Sequence, residues 1–116
     1  MSQDVLNLSL VEVSKKLLDK EISSEELVKL SIESSKKWNT TINAFIKINE
    51  EDALIAARKA DQALSKGKSL GALHGIPLAH KDLFYLKNQP ITCGSKVLNG
   101  FTSNYDATII DRLHNR

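Results

Sequence analysis

The sequence predicts an α/β fold that begins with a helical layer and continues into the first strands of a mixed sheet. Through residues 1–66, apolar side chains recur mostly at helical spacing. All five glycines and both prolines come after Lys66, where loops and a short apolar, strand-like run replace that pattern. We therefore expect an N-terminal helical layer at 1–66 and the start of an α/β core at 67–116, together forming one incomplete domain.

The first two predicted helices each begin with a capping box, in which a serine is followed three residues later by a glutamate. Ser9 and Glu12 have this spacing, and Ser23 and Glu26 repeat it. Leucines and valines then follow at helical intervals in both segments. The local sequence therefore predicts where each of these two helices starts.

The later elements are predicted from turn residues and from a change of period. Residues 41–48 alternate as in a strand or an extended connector, and Asn49 follows as the predicted cap of a third, alanine-rich helix. Residues 67–73 are predicted to form a loop, and 76–84 a buried strand that has its proline near the start. Asp106 is the predicted cap of a final helix.

Composition indicates an ordinary small protein and excludes several function classes. The chain has 116 residues, 41% of them hydrophobic, which is enough for one domain with a core. A net charge of +2 does not indicate nucleic-acid binding. Cys93 is the single cysteine, so no internal disulfide is possible. With no secretory signal and no apolar run near the ~20 residues of a membrane span, we expect a cytoplasmic protein without a membrane partner.

Lys81 is the strongest candidate for a catalytic residue. On a strand at 76–84 it shares a face with small or apolar residues, namely Pro77, Ala79 and Leu83. Burial on such a face disfavours the ammonium form, as a general-base lysine requires. Spacing alone leaves an alternative open: a strand-end lysine in water beside Asp82, because surface lysines far outnumber catalytic ones.

Other candidate residues give weaker patterns. His74 and His80 lie about 20 Å apart on an extended chain, too far to share a metal ion, so we expect no metal site. Two S-x-x-K matches, at 34–37 and 65–68, lie on polar helix faces or helix ends and are expected to be solvated. Cys93 has no evident paired base and is expected to be a small, half-buried residue.

The run at 71–84 resembles the opening active-site segment of the amidase signature family. Every fixed position of the pattern G-x-L-H-G-I-P-x-A-x-K-D is present. The resemblance continues upstream and downstream over nearly the whole chain, through residues 42–45, 51–64, 92–95, 105–108 and 112–113. It implies that the chain is the N-terminal portion of an amidase-signature fold. It also implies that Lys81 is the lysine of a Ser–cis-Ser–Lys triad, in which neutral lysine activates the nucleophilic serine through a bridging serine.

The same resemblance implies an amide-hydrolysing enzyme whose substrate is glutamine or another small amide. The amino-acid sequence at 77–84 and 92–95 is most similar to that of the glutamine-hydrolysing members of the family. These members supply ammonia to other amidotransferase subunits, which use ATP and Mg and bring tRNA into the reaction. This chain itself is expected to need no cofactor and to meet tRNA only indirectly. The family's two serines belong to segments that follow the final helix, so we expect these 116 residues to be inactive alone.

Two further hypotheses stay open at the level of sequence. One keeps the family but changes the substrate, giving a segment of a stand-alone amidase for small amides. The other is a non-catalytic helical binding module that docks through the amphipathic segments 9–20 and 24–38.

Overall fold

The computed structural model describes residues 3–69 and 71–115, and the chain forms two compact units, Met1–Pro77 and Leu78–Arg116. The helices are α1 (Leu10–Leu18), α2 (Ser24–Ile42), α3 (Glu50–Ser65) and α4 (Thr108–His114), with short 3-10 helices at Gln3–Asn7 and Lys96–Leu98. None of the helices formed by the described residues is long and apolar enough to cross a membrane. The division into a helical layer at 1–66 and an α/β core at 67–116 stays a prediction.

Both predicted capping boxes are confirmed. Ser23 Oγ accepts a hydrogen bond from the Glu26 backbone N–H at 3.1 Å, and the Glu26 carboxylate accepts one from the Ser23 N–H at 2.9 Å. Ser9 and Glu12 form the same reciprocal pair, at 3.3 and 2.8 Å. Each box satisfies two of the N–H groups that a helix start leaves without a partner.

The core of the first unit is formed by the Gln3–Asn7 3-10 helix, α1 and the start of α2. Its buried side chains are Val5, Val13, Leu17, Ile22 and Leu27, with Leu6, Leu8, Leu30 and Ile76 packed against them. α2 also packs against α3, where Ala57 is 3% exposed. Ala57 belongs to the helix that was predicted to be alanine-rich, and its small side chain lets the two helices approach closely.

Around the second connection, one predicted boundary is wrong and one predicted cap is confirmed in position only. α2 runs through Ile42 and ends at Asn43 in the left-handed conformation, so the extended segment does not begin at residue 41. The Asn39 side-chain amide then closes the chain reversal, accepting from the Phe45 N–H at 2.7 Å and donating to the Phe45 carbonyl at 3.0 Å.

Asn49 lies at the N-cap of α3, as predicted, but its side chain makes no capping hydrogen bond. Three acidic residues of the first turn, Glu50, Glu51 and Asp52, complement the helix dipole there.

The predicted strand at 76–84 is not formed in this structure, and the described residues contain no strand. Residues 76–81 are without regular structure, and a turn follows in which the Lys81 carbonyl accepts from the N–H groups of Leu83 and Phe84. A strand needs a partner for its ladder of hydrogen bonds, and among the described residues the one isolated bridge joins Pro90 to Thr102. The strands of the expected α/β fold therefore stay a prediction, as does the loop at 67–73, in which Leu70 lies outside the described residues.

The second unit is organised by two chain segments that run antiparallel around the Pro90–Thr102 bridge. The Asn88 N–H donates to the Ser103 carbonyl at 2.8 Å. The buried residues of this unit are Ile91, Ser103 and Ile110. Asp106 does not cap α4 as predicted, since the N-cap position is Ala107. The Asp106 carboxylate instead accepts from the Lys87 N–H at 2.6 Å, which ties together two loops.

The second capping box predicts a pH-dependent contribution to stability. The Ser23 N–H and hydroxyl bind the Glu26 carboxylate and hold its pKa below the ordinary value of 4.5. Because the folded-state pKa is the lower one, this stabilisation is present above the unfolded value and is lost as pH falls through the folded value. As the pH is lowered from about 5 to about 3, the free energy of unfolding in urea is therefore expected to fall less for Glu26→Gln than for the parent.

Glu33→Gln is the matched control, because Glu33 is an exposed carboxylate on the same helix and outside the box. Ser23→Ala is expected to cost about 1 kcal/mol at neutral pH. Equal pH slopes for the parent and Glu26→Gln would contradict the assigned role of the box.

Candidate active-site segment

The first half of the motif, residues 71–77, is held by α1, α2 and α3. Ser14 of α1 donates its hydroxyl to the Ala72 carbonyl at 2.9 Å, and Ser24 of α2 donates to the Gly75 carbonyl at 2.7 Å. The His74 ring is buried, and its Nε2 lies 2.8 Å from the Ala60 carbonyl of α3, to which it donates. These hydrogen bonds give the motif histidine a structural position inside the first unit.

Gly75 is required by both backbone geometry and space. Its φ of +76° lies in the left-handed region, and a Cβ atom there would come within 3.1 Å of Ser24 Cβ and Oγ. The start of α2 is itself fixed by Asp61 of α3, whose carboxylate accepts from the N–H groups of Ser24 at 2.7 Å and Glu25 at 3.0 Å. The helix start, the motif loop and α3 therefore converge on Ser24.

Lys81, the predicted catalytic residue, lies in the second unit with its side chain exposed. No ion pair among the described residues includes it. The apolar strand face expected to bury the amine is not formed by the residues described, because 76–84 has no neighbouring strand. The catalytic role of Lys81 stays a prediction at this point.

The residue next to Lys81 is held much more firmly. The Asp82 carboxylate accepts from the Thr92 hydroxyl through Oδ2 and from the Thr92 N–H at 3.0 Å through Oδ1. These hydrogen bonds, led by that of the hydroxyl, lower the pKa of the Asp82 carboxyl below its ordinary value of 3.8; the Cys93 N–H and the nearby His80 act in the same direction. The Lys81–Asp82 pair is thereby attached to the loop at 92–95.

That loop is a tight turn with two successive left-handed residues. Cys93 has φ +50° and Gly94 has φ +67°, and the Ser95 N–H returns to the Thr92 carbonyl at 2.7 Å. Cys93 is exposed, so its predicted half-burial is wrong: it lies on a tight turn whose next residue, Gly94, is exposed as well. Ser95 caps the short 3-10 helix that follows, accepting from the Val97 N–H at 3.2 Å.

The structure thus joins Asp82 of the motif run to Thr92 of the segment 92–95. Both segments carry the family resemblance, but no contact between them was predicted. From the sequence, Asp82 was placed only as the residue that follows Lys81. Thr92 was placed only within the segment 92–95 that resembles the family. A side-chain pair ten residues apart has no local periodicity, so no helix or strand signal could have revealed it.

The two motif histidines belong to different units and differ in burial. His74 is a buried residue of the first unit, whereas His80 belongs to the second and is exposed, with Nδ1 3.4 Å from the Lys81 carbonyl. Within 3–69 and 71–115, no three His, Cys, Asp or Glu side chains are grouped so as to hold a metal ion.

An open groove of about 350 Å³ in the first unit is separate from the motif. Its lining comes from α1, α2, α3 and the α1–α2 connection, and includes Leu17, Ile22, Glu26, Asp61 and Leu64. None of its lining residues lies within 71–84. Lys81 is exposed and is not among the residues that line this groove.

With its motif run intact and the Lys81–Asp82 turn attached to the 92–95 loop, the chain belongs to the amidase family, whose model matches residues 26–116. It is similar to the A subunit of glutamyl-tRNA(Gln) amidotransferase from three bacteria. The identity is 44% over 106 residues for Pseudomonas entomophila (91% of this chain), 43% over 110 for Dechloromonas aromatica (95%) and 45% over 109 for an Azoarcus species (94%). The chain spans 22% of the length of each relative and matches their N-terminal part.

Gly75→Ala is expected to destabilise the first unit more than Gly67→Ala. Both glycines have left-handed φ angles, +76° and +72°, but an added Cβ meets Ser24 only at Gly75 and open space at Gly67. Backbone strain costs about 1–2 kcal/mol at either position, and the steric clash adds about 1–3 kcal/mol at Gly75. Denaturant unfolding of the two variants gives the difference, and equal losses would show that the Ser24 contact imposes no constraint.

The Asp82 carboxyl is expected to titrate below pH 3.8, and Thr92→Val is expected to move its midpoint upward. Valine keeps the shape of threonine but removes the hydroxyl that most favours the charged carboxylate. The carboxylate stabilises the fold above the unfolded pKa, and this stabilisation is lost as pH falls through the lower folded value. Carboxyl carbon chemical shifts followed by NMR across the acid range measure the midpoint.

Thr92→Ser keeps a hydroxyl and is expected to preserve the low midpoint of Asp82. Thr108→Val makes the same chemical change on an exposed residue of α4 and should leave Asp82 unaffected. An unchanged midpoint in Thr92→Val would show that the hydroxyl does not hold the carboxylate.

Proposed function

We propose that this chain is the N-terminal segment of the glutamine-hydrolysing A subunit of a glutamyl-tRNA(Gln) amidotransferase. The observation that carries the proposal is the 43–45% identity to three such proteins, over more than nine-tenths of the chain. The intact motif run and the attachment of its Lys81–Asp82 turn to the 92–95 loop support it. A whole enzyme of this kind would act in the cytoplasm, with no membrane partner.

In this proposal Lys81 is the base of a Ser–cis-Ser–Lys triad. The neutral amine takes a proton through the bridging serine, and the nucleophilic serine attacks the carbonyl carbon of the glutamine side-chain amide. The C–N bond breaks and ammonia leaves with a proton returned through the same relay. Water then hydrolyses the acyl-enzyme to glutamate. Ammonia passes to partner subunits, which use ATP and Mg to convert Glu-tRNA(Gln) to Gln-tRNA(Gln).

The two serines and the partner strands belong, in this proposal, to the remaining part of such a protein, since the chain spans 22% of its relatives' length. Strands that pair with 76–84 would supply the ladder missing here and cover Lys81. Covering the amine would disfavour its ammonium form and make it a better base at neutral pH. The 116 residues by themselves are therefore proposed to be inactive, and this chain itself to use no cofactor.

Lys81→Ala is expected to abolish glutamine hydrolysis in a hybrid enzyme. In the hybrid, residues 1–116 replace the matched segment of the Pseudomonas entomophila relative, co-produced with that enzyme's other subunits. Loss of the base should lower kcat by at least about 100-fold, measured as ammonia released from glutamine. Lys87→Ala is the matched control, because Lys87 is an exposed lysine of the same unit and lies outside the motif.

Other outcomes of this experiment test competing assignments. A hybrid that hydrolyses acetamide or benzamide but not glutamine would favour a stand-alone amidase for small amides. Full activity in Lys81→Ala would exclude Lys81 as the base. Ammonia release by the isolated 116-residue chain would contradict the proposed need for the missing serines. Binding to the other subunits by a hybrid that hydrolyses no amide would favour the helical binding module.

A further inference from the structure

We propose that Asp82 and Thr92 form a positioning pair for Lys81. The pair anchors the backbone beside the lysine and keeps the only carboxylate adjacent to it in sequence engaged away from its amine. This inference rests on the proposed function of Lys81 as a base. It assigns no catalytic step to Asp82 or Thr92, which act through the lysine.

The first part of the argument is the number of hydrogen bonds on one carboxylate. Both oxygens of Asp82 are occupied by Thr92, one by its hydroxyl and one by its N–H. The Thr92 oxygen accepts in turn from the Gly94 N–H at 3.1 Å. The hydroxyl proton is therefore directed to Asp82, and the pair cannot rotate without giving up several hydrogen bonds.

The second part concerns where the lysine begins. The Lys81 carbonyl accepts from the Leu83 N–H at 2.7 Å and the Phe84 N–H at 3.1 Å. Its chain neighbour Asp82 is held to Thr92, so the backbone is fixed on the C-terminal side of Lys81. A lysine reaches its target through a flexible four-carbon stem, and displacement of its origin by about 1 Å can cost about 100-fold in rate.

The third part is electrostatic. A free carboxylate beside an amine stabilises the ammonium form, whereas a general base must be neutral. Among the described residues no ion pair joins Asp82 to Lys81. His80 is the other titratable group near the carboxylate, and its charge favours ionised Asp82. With Thr92 taking both carboxylate oxygens, Lys81 has no ion-pair partner among the described residues although an acid follows it in the chain.

The test uses the active hybrid enzyme with Thr92→Val, Thr92→Ser and Asp82→Ala. Thr92→Val should lower kcat about 10- to 100-fold, with little change in KM, because neither partner touches substrate. It should also move the acid limb of the pH–rate profile to higher pH, since the released carboxylate can pair with Lys81. Asp82→Ala should lower kcat without that upward move, and Thr92→Ser should retain both rate and profile.

Asp106→Ala is the control for mere loss of stability. Its carboxylate also accepts a backbone N–H in the same unit, from Lys87 at 2.6 Å, but it lies outside the motif. The melting temperature should fall for both Asp106→Ala and Thr92→Val. At a temperature where both variants are folded, kcat and the pH–rate profile should change only for Thr92→Val.

The outcomes separate this inference from the proposed function. If Lys81→Ala is inactive while Thr92→Val keeps the parental kcat and pH profile, the positioning role is overturned and the function stands. A Thr92→Val profile identical to that of Asp106→Ala overturns it as well. If the parent hybrid hydrolyses no amide, or Lys81→Ala retains activity, the proposed function fails and the positioning role fails with it.

Discussion

The first unit depends on the hydrogen bonds made by one buried serine, Ser24, which is 2% exposed. Its N–H and that of Glu25 bind the Asp61 carboxylate, and its hydroxyl binds the Gly75 carbonyl. Apolar contacts hold α1 on α2, but they do not specify where the motif loop lies, because hydrophobic burial is non-directional. The directional hydrogen bonds of Ser24 make that placement specific, and they bring Ser24 so close that a Cβ atom on residue 75 would lie 3.1 Å from it.

A second polar contact has the same function in the second unit. This unit has few buried residues, so apolar packing alone orders it weakly. The pairing of Asp82 with Thr92 joins the lysine turn to the 92–95 turn, and the contact of Asp106 with the Lys87 N–H joins two further loops. In the second unit, carboxylates that accept backbone N–H groups therefore hold loops together.

The errors of prediction from sequence have a common physical cause. The two capping boxes were predictable because each is closed by residues three apart, within one helical turn. Asn49 and Asp106 have the residue types of caps, yet neither side chain caps a helix; the Asp106 carboxylate binds the distant Lys87 N–H. The strand at 76–84 was predicted from a short apolar run, but a strand exists only when another segment pairs with it. Residue type alone does not choose between a local partner and a distant one.

The sequence by itself determined the helix starts at Ser9 and Ser23, the motif around Lys81 and the resemblance to the amidase family, because all of these are short-range patterns of residue type. The tertiary structure alone decided that His74 is buried against Ala60, that Gly75 fits under Ser24 and that Asp82 is held by Thr92. Each of these contacts joins residues ten or more positions apart. Such contacts form only when folding has brought the segments together, and hydrogen-bond geometry then selects among the many polar side chains that could have met.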